Sequence, residues 1–174
     1  EKLGDNFCII AEGERAQRLR DEGLILNGQQ VRPNVCSPEE AAGADLILVA
    51  TKYNGLPQIL DSLRHMTAPH TLIVSALNGL DSEEIIQEAV GGDHLLNAFM
   101  FIQSQRVGNR IDYDLDAKGL VFGEKDTAVM TPRAQALDRL LTGAGIAHRF
   151  SPDILTEQWQ KFSLNISNNL PQAL

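Results

Sequence analysis

Positive charge is scarce in this sequence. Fifteen Lys and Arg stand against 23 Asp and Glu, a formal net charge of −8 over 174 residues. So acidic a chain is a poor match for nucleic acid or an anionic membrane surface, and an anionic ligand would need locally placed cations. Cysteine is scarcer still: Cys8 and Cys36 are isolated, with no C-x-x-C spacing. That argues against a zinc ribbon or a dithiol motif and favours two reduced thiols, as in a cytosolic protein. The four histidines, His65, His70, His94 and His148, lack the i, i+4 spacing of helical metal ligands, so no metal site is expected. No apolar run approaches the ~20 residues of a membrane span, and no signal peptide is visible. Ordinary apolar and charged content excludes collagen, coiled coil and disorder, and the length allows one globular domain with a real core.

What is present is an alternation of strand and helix signals. Phe7–Ala11, Leu46–Ala50 and Leu72–Ala76 are short apolar runs of strand length, uniform enough to be buried on both faces of a parallel sheet. Between them lie a polar helix, Glu14 to Glu22, closed by Gly23, and a hairpin over Leu24 to Val35 turning at Asn27-Gly28. Ser37-Pro38-Glu39-Glu40 reads as a capping box opening a very short helix that stops near Gly43. An amphipathic helix follows over Leu56 to Met66, and another, capped by Asp81-Ser82-Glu83-Glu84, runs to about Val90. Leu95 to Ile102, Arg110 to Leu115 and Leu120 to Gly123 are expected as strands. Thr131-Pro132 opens a helix ending at Gly143 or Gly145. Ala147 to Phe150 is a last strand, and Ser151-Pro152-Asp153 opens a final helix. The pattern predicts an α/β fold with a doubly wound parallel, Rossmann-like sheet.

Open parallel sheets bind ligands beyond the carboxyl ends of their strands. That rule selects Glu12, Lys52 and Asn78. A carboxylate at Glu12 suits ribose hydroxyls or is a solvated loop group. Lys52 suits a phosphate or carboxylate or is a surface lysine. Asn78-Gly79 lines a site or makes a turn. On the final helix Lys161, Asn165 and Asn169 fall at i, i+4 and i+8, a polar stripe, while Trp159, Phe162, Ile166 and Leu170 suit packing. Two mid-helix asparagines cost helix propensity, which favours a functional stripe over a merely solvated face.

Five stretches in order, Ala50-Thr51-Lys52, Leu77-Asn78-Gly79, Phe122-Gly123-Glu124, Ala144-Gly145-Ile146 and Trp159-Gln160-Lys161-Phe162-Ser163-Leu164-Asn165 with Asn169 beyond, resemble the ketopantoate reductase (2-dehydropantoate 2-reductase) family. Each motif is weak alone, and the ordered set is specific. The resemblance implies an NADP-dependent reduction of a 2-keto acid, 2-dehydropantoate, to the 2-hydroxy acid pantoate, in pantothenate biosynthesis in the cytoplasm. It implies Lys161 as general acid, Asn165 and Asn169 as substrate ligands, and Lys52 and Asn78 lining the cofactor and active-site cleft. Glu12 is placed at the nucleotide's ribose. The expected partners are a small-molecule 2-keto acid and, as an option, a second copy in a homodimer, without nucleic acid, membrane or metal.

Three departures shape these expectations. The family's opening strand and glycine-rich turn have no counterpart, since Glu1-Lys2-Leu3-Gly4 resembles the tail of the following helix. The family's C-terminal helical domain is met only at its start. Glu12 stands where many members carry an arginine for the 2′-phosphate, which leaves NAD open beside NADP, with Arg15 within reach. The sequence is therefore expected to be part of a longer polypeptide: a dinucleotide-binding domain over 1–150, then over 151–174 the first helix of a helical substrate domain. The competing readings are a related NAD-linked 2-keto acid or opine-type dehydrogenase, and a non-catalytic dinucleotide-binding sensor.

Overall fold

Apolar runs bounded by glycine, proline and small polar residues define most of the elements. A computed structural model describes residues 3–169. In chain order they form β1 (Cys8–Ile10), α1 (Gly13–Glu22), β2 (Leu24–Leu26), β3 (Gln29–Val31), β4 (Asn34–Cys36), β5 (Leu46–Val49), α2 (Leu56–Met66), β6 (Leu72–Ser75), α3 (Ser82–Val90), β7 (Leu95–Phe101), β8 (Ser104–Val107), β9 (Arg110–Tyr113), β10 (Gly119–Gly123), α4 (Pro132–Ala144), β11 (His148–Phe150) and α5 (Ile154–Leu164). A π-helical turn, Asn165–Asn169, follows α5.

The fold is α/β and Rossmann-like. A five-stranded sheet has the order β11-β10-β7-β6-β5. Alternate residues of its strands face opposite helices, as the two-residue period of a strand requires. Ile47, Val49 and Ile73 pack with Leu56, Leu63, Met66 and Ile86 from α2 and α3. Val74, Leu96, Ala98, Leu120 and Phe122 pack with Ala134, Leu137 and Leu141 from α4. Both faces are thus covered, and each fully buried Leu or Ile contributes about 1.5–3 kcal/mol by leaving water. α4 is well delimited: Thr131 caps it by accepting from the Ala134 amide, and Gly145 ends it at φ 62°.

The sheet departs from the expected single parallel array in two ways. β5, β6 and β7 are parallel, but β10 runs antiparallel to β7 and β11 parallel to β10. A hairpin between β7 and β10, rather than a crossover helix, reverses the chain direction. Also, β1 and β4 form a separate parallel pair, so the expected sheet is divided. Cys8 and Cys36 lie on these two strands as free thiols. Burial, hydrogen bonding with Cys36 and the nearby Glu40 charge push the Cys8 thiol up to about 11.

A four-stranded sheet, β3-β2-β9-β8, lies outside the expected plan. β2 and β3 turn at Asn27 (φ 47°) and Gly28 (φ 82°) as the Asn-Gly pair indicated. The Asn27 side chain then grips β9: its Oδ1 accepts from the Tyr113 amide at 2.8 Å and its Nδ2 donates to the Tyr113 carbonyl at 3.1 Å.

Three smaller expectations change. Residues 38–43 form consecutive turns rather than a helix, although the reciprocal capping bonds between Ser37 and Glu40 are made. Asp81 does not cap α3 with its side chain, which instead accepts from the Tyr53 hydroxyl at 2.7 Å. Trp159 and Ile166, expected to pack, are about half exposed or more among the described residues, at 60% and 48%, and Leu170 lies outside them. Of that set Phe162 is partly buried, meeting Trp159 edge to face at 5.9 Å.

Candidate functional site

β6 ends at Ser75, and the chain passes through Leu77, Asn78 and Gly79 before α3 begins. Opposite this loop stands α5, whose entry is held tightly. Ser151 is buried, its amide donates to the Phe122 carbonyl at 2.8 Å, and its hydroxyl donates to Glu157 at 2.6 Å. Asp153 caps the helix by accepting from the Thr156 amide. Ile154, fully buried against Phe99 and Val121, pins the first turn to β7 and β10. The approach is so close that a Cβ on Gly123 would lie 2.5 Å from the Ser151 carbonyl oxygen.

This packing aims Lys161 at the β6 loop. Its Nζ donates to Asn78 Oδ1 at 3.3 Å and stands 5.5 Å and 5.9 Å from the ring centroids of Phe99 and Phe101. The aromatic faces attract the ammonium, yet burial lowers the Lys161 pKa below the ordinary lysine value, because the charged form loses water. A narrow cleft brings Lys161 together with Asn78, Asn165, Gln158, Phe99 and Phe162. The arrangement holds an ammonium donor beside a neutral amide in a half-dry niche, suited to meeting a carbonyl oxygen as it gains charge.

The stripe along the helix is only partly realised. α5 gives way to the π-helical turn after Leu164, which adds a residue per turn and breaks the i, i+4, i+8 spacing beyond Asn165. Asn169 belongs to that turn by its backbone, and its side chain lies outside the described residues. The other expected residues stand apart from the cleft. Glu12 is exposed just after β1, at the N-cap of α1, and Lys52 is exposed just after β5. Neither lines the cleft.

Two residues that the sequence did not single out for the site lie directly behind Lys161. Gln158, one turn earlier on α5, and Glu83, in the first turn of α3, are both buried and bonded to each other at 2.6 Å. The only sequence signal was a polar side chain three residues before Lys161. Thr51, which precedes Lys52 two residues beyond the end of β5, has its Oγ1 buried without a hydrogen-bond partner among the described residues. A larger cavity of about 650 Å³ lies at the other end of the sheet, near the ends of α2 and α3. Several of its lining groups bond to the protein itself: Arg64 donates to the Ala89 carbonyl, His94 Nδ1 meets that of Thr71, and the Asp93 carbonyl accepts from Arg133.

Residues 1–126 match the sequence profile of the family described as Ketopantoate reductase PanE/ApbA. A 2-dehydropantoate 2-reductase of Streptococcus pyogenes is 30% identical over 176 residues, covering 98% of this chain and 57% of its own. Among solved structures, the 2-dehydropantoate 2-reductase of Geobacter metallireducens superposes with a TM-score of 0.81 at 22% identity, over 95% of this chain and 56% of that one. D-mandelate dehydrogenase in ternary complex with NADH and anilino(oxo)acetate superposes with a TM-score of 0.76 at 20% identity, over 94% of this chain and 55% of that one. The chain spans about half the length of the curated relatives it matches. No helix among the described residues is long and apolar enough to cross a membrane.

Proposed function

Since the chain belongs to the ketopantoate reductase family, we propose that it carries the dinucleotide half and part of the substrate wall of an oxidoreductase that reduces a 2-keto acid, 2-dehydropantoate, to its 2-hydroxy acid. Residues 1–150 are the dinucleotide-binding unit in this reading, and residues 151–174 begin the substrate domain. The observation that carries the reading is the Lys161–Asn78 contact, which joins an ammonium on α5 to the carboxyl end of β6. That end of a parallel sheet is where such folds bind dinucleotides.

The residues present fit a nicotinamide dinucleotide. Glu12 offers a carboxylate to ribose hydroxyls, Lys52 a cation, and the unpartnered Thr51 hydroxyl a buried polar group that a ligand atom would satisfy. When bound, the cofactor supplies the hydride. Lys161 donates a hydrogen bond to the keto oxygen and gives up a proton as that oxygen becomes an alkoxide, a step its lowered pKa favours. Asn78 holds the ammonium in place, and Asn165 and Asn169 bind the substrate's polar groups.

In the full-length enzyme, Lys161→Ala should reduce turnover of 2-dehydropantoate by ~10²–10⁴-fold, the usual contribution of a positioned acid. Nucleotide affinity, measured by a separate titration, should hardly change. Retention of near-normal turnover would show that the Lys161 face serves packing only. Wild-type turnover should also fall as pH rises through a pKa below that of an ordinary lysine, about 10.4, because the acid must be protonated.

A second reading, an NAD-linked 2-keto acid dehydrogenase, is favoured by one observation. The carboxylate of Glu12 stands exposed after β1, where it would repel a 2′-phosphate.

A further inference from the structure

A buried polar relay runs behind the cleft, across four elements. The Glu83 carboxylate, on α3, is 7% exposed and Gln158, on α5, is 4% exposed. Gln158 Nε2 donates to Glu83 Oε1 at 2.6 Å and to the Ala98 carbonyl of β7 at 3.1 Å. Its Oε1 accepts from Asn97 Nδ2 at 3.1 Å. Both amide protons and the amide oxygen are therefore engaged. Glu83 accepts in turn from the Ser82 hydroxyl at 2.7 Å and from the Ala98 amide at 3.5 Å, and Ser82 bonds Ser75, the last residue of β6, at 2.8 Å. Buried polar groups this fully satisfied hold one geometry, because any shift leaves a donor or acceptor dry and unpaired.

The relay is placed to matter. Gln158 precedes Lys161 by three residues, so both project from one side of α5. Glu83 follows Asn78 by five residues, at the start of the helix entered from the Asn78 loop. The Lys161–Asn78 and Gln158–Glu83 contacts thus tie the same two segments twice, once at the cleft and once behind it. The first is exposed and 3.3 Å long, the second buried and 2.6 Å. A surface contact between flexible groups does not fix a helix, whereas a buried one with both amide protons and the amide oxygen engaged does.

We propose that Glu83 and Gln158 are positioning residues that set the Lys161 ammonium against Asn78, and with it the geometry of proton donation. The proposal rests on the reading of Lys161 as the acid. Misplacing a reacting group by about 1 Å costs up to ~10²-fold in rate.

The test uses the full-length enzyme, 2-dehydropantoate kinetics, a nucleotide titration and thermal denaturation, with Lys161→Ala in parallel. Gln158→Leu keeps the bulk and removes the relay. It should lower kcat between about tenfold and 10²-fold while the nucleotide dissociation constant stays at the wild-type value. Glu83→Gln keeps one oxygen that can accept from Gln158 and the Ala98 amide, and places an NH2 where the Ser82 hydroxyl can turn to accept, so it should hold kcat within about twofold. If Gln158→Leu does not fold, Asn97→Ala, which frees only the Gln158 oxygen, should lower kcat about threefold, as loss of one hydrogen bond would.

Wild-type kcat in folded Gln158→Leu, or in Asn97→Ala where that variant is the one measured, beside a crippled Lys161→Ala, overturns the relay's role and leaves the proposed function standing. Wild-type kcat in Lys161→Ala overturns both.

Discussion

The region that carries Lys161 and the region that carries Glu12 are built to different standards. Around β10, β11 and α5 the core is deep: Val121 and Phe122 are at most 1% exposed, the buried polar groups are bonded, and the chain packs at contact distance. Around β1, β4 and α1 the buried cluster is three residues, Ala11, Ala16 and Leu19, and all three residues of β1 are only partly buried. Lys161 rises from the first region and Glu12 from the second. Under the proposed function, proton donation, which depends on close placement, falls to the deeply packed part, and recognition of a ribose, which tolerates adjustment, to the thin part. Substitutions should therefore act through geometry and stability on one side and through affinity on the other.

The largest effect should come from Gly119→Ala. Gly119 has φ 75°, and a Cβ there would lie 1.7 Å from the Ala147 carbonyl oxygen, which accepts from the Leu120 amide. The β10–β11 ladder cannot accommodate it, so a loss above about 4 kcal/mol is expected, measured by denaturant unfolding or seen as failure to fold.

Glu124 tests the same region electrostatically. It is buried and paired with Arg133 at 2.5 Å, and also accepts from the Thr131 hydroxyl. Burial by itself raises its pKa, but the hydrogen bonds and charge of Arg133, with Thr131, outweigh this and hold the carboxyl below the usual range. Its contribution is then complete above the unfolded value, about 4.3, and is lost as pH falls through the folded one. Glu124→Gln should cost about 2–3 kcal/mol near neutrality, with the gap to wild type closing below about pH 4.

In the thin region Leu19→Ala should cost only about 2 kcal/mol, the low end for a buried leucine, because so small a cluster collapses easily. A cost as large as that of a deep-core leucine such as Leu120 of β10 would erase the contrast.

The smallest effect belongs to Glu12→Arg. Unfolding should be unchanged, since Glu12 is exposed, while the NADPH-to-NADH preference should rise by about tenfold, roughly 1.4 kcal/mol. An unchanged ratio would make Glu12 a bystander.

Much of this was legible in the sequence, for physical reasons. β5, α2, β6 and α4 were readable because their apolar periodicity and their boundaries agree. β8 was missed because all four of its residues are exposed and no apolar run marks it. The Gly108-Asn109 pair before Arg110 was its one trace, as a two-residue hairpin loop. Asn78 could be named from its place just after a strand, and Lys161 from its polar stripe with Asn165 and from the family resemblance. Glu83 and Gln158 could not, because their meaning lies in a contact between residues 75 apart in the chain. The break of α5 into a π-helical turn was also hidden, since the same residues satisfy an unbroken helical wheel.

The grip of Asn27 on Tyr113 also dictates an order of assembly. The partners are 86 residues apart, and the amides of Ile25 in β2 and Asn27 just after it reach their acceptors, the Asn109 and Ile111 carbonyls, only when the second hairpin has formed. A lone two-stranded hairpin is marginal in water, and closing so long a loop delays its reward. During synthesis β2 and β3 must therefore wait, half made, until residue 113 has left the ribosome. Hydrogen exchange should find the amides of Ile25, Asn27 and Tyr113 opening together as one late-closing unit.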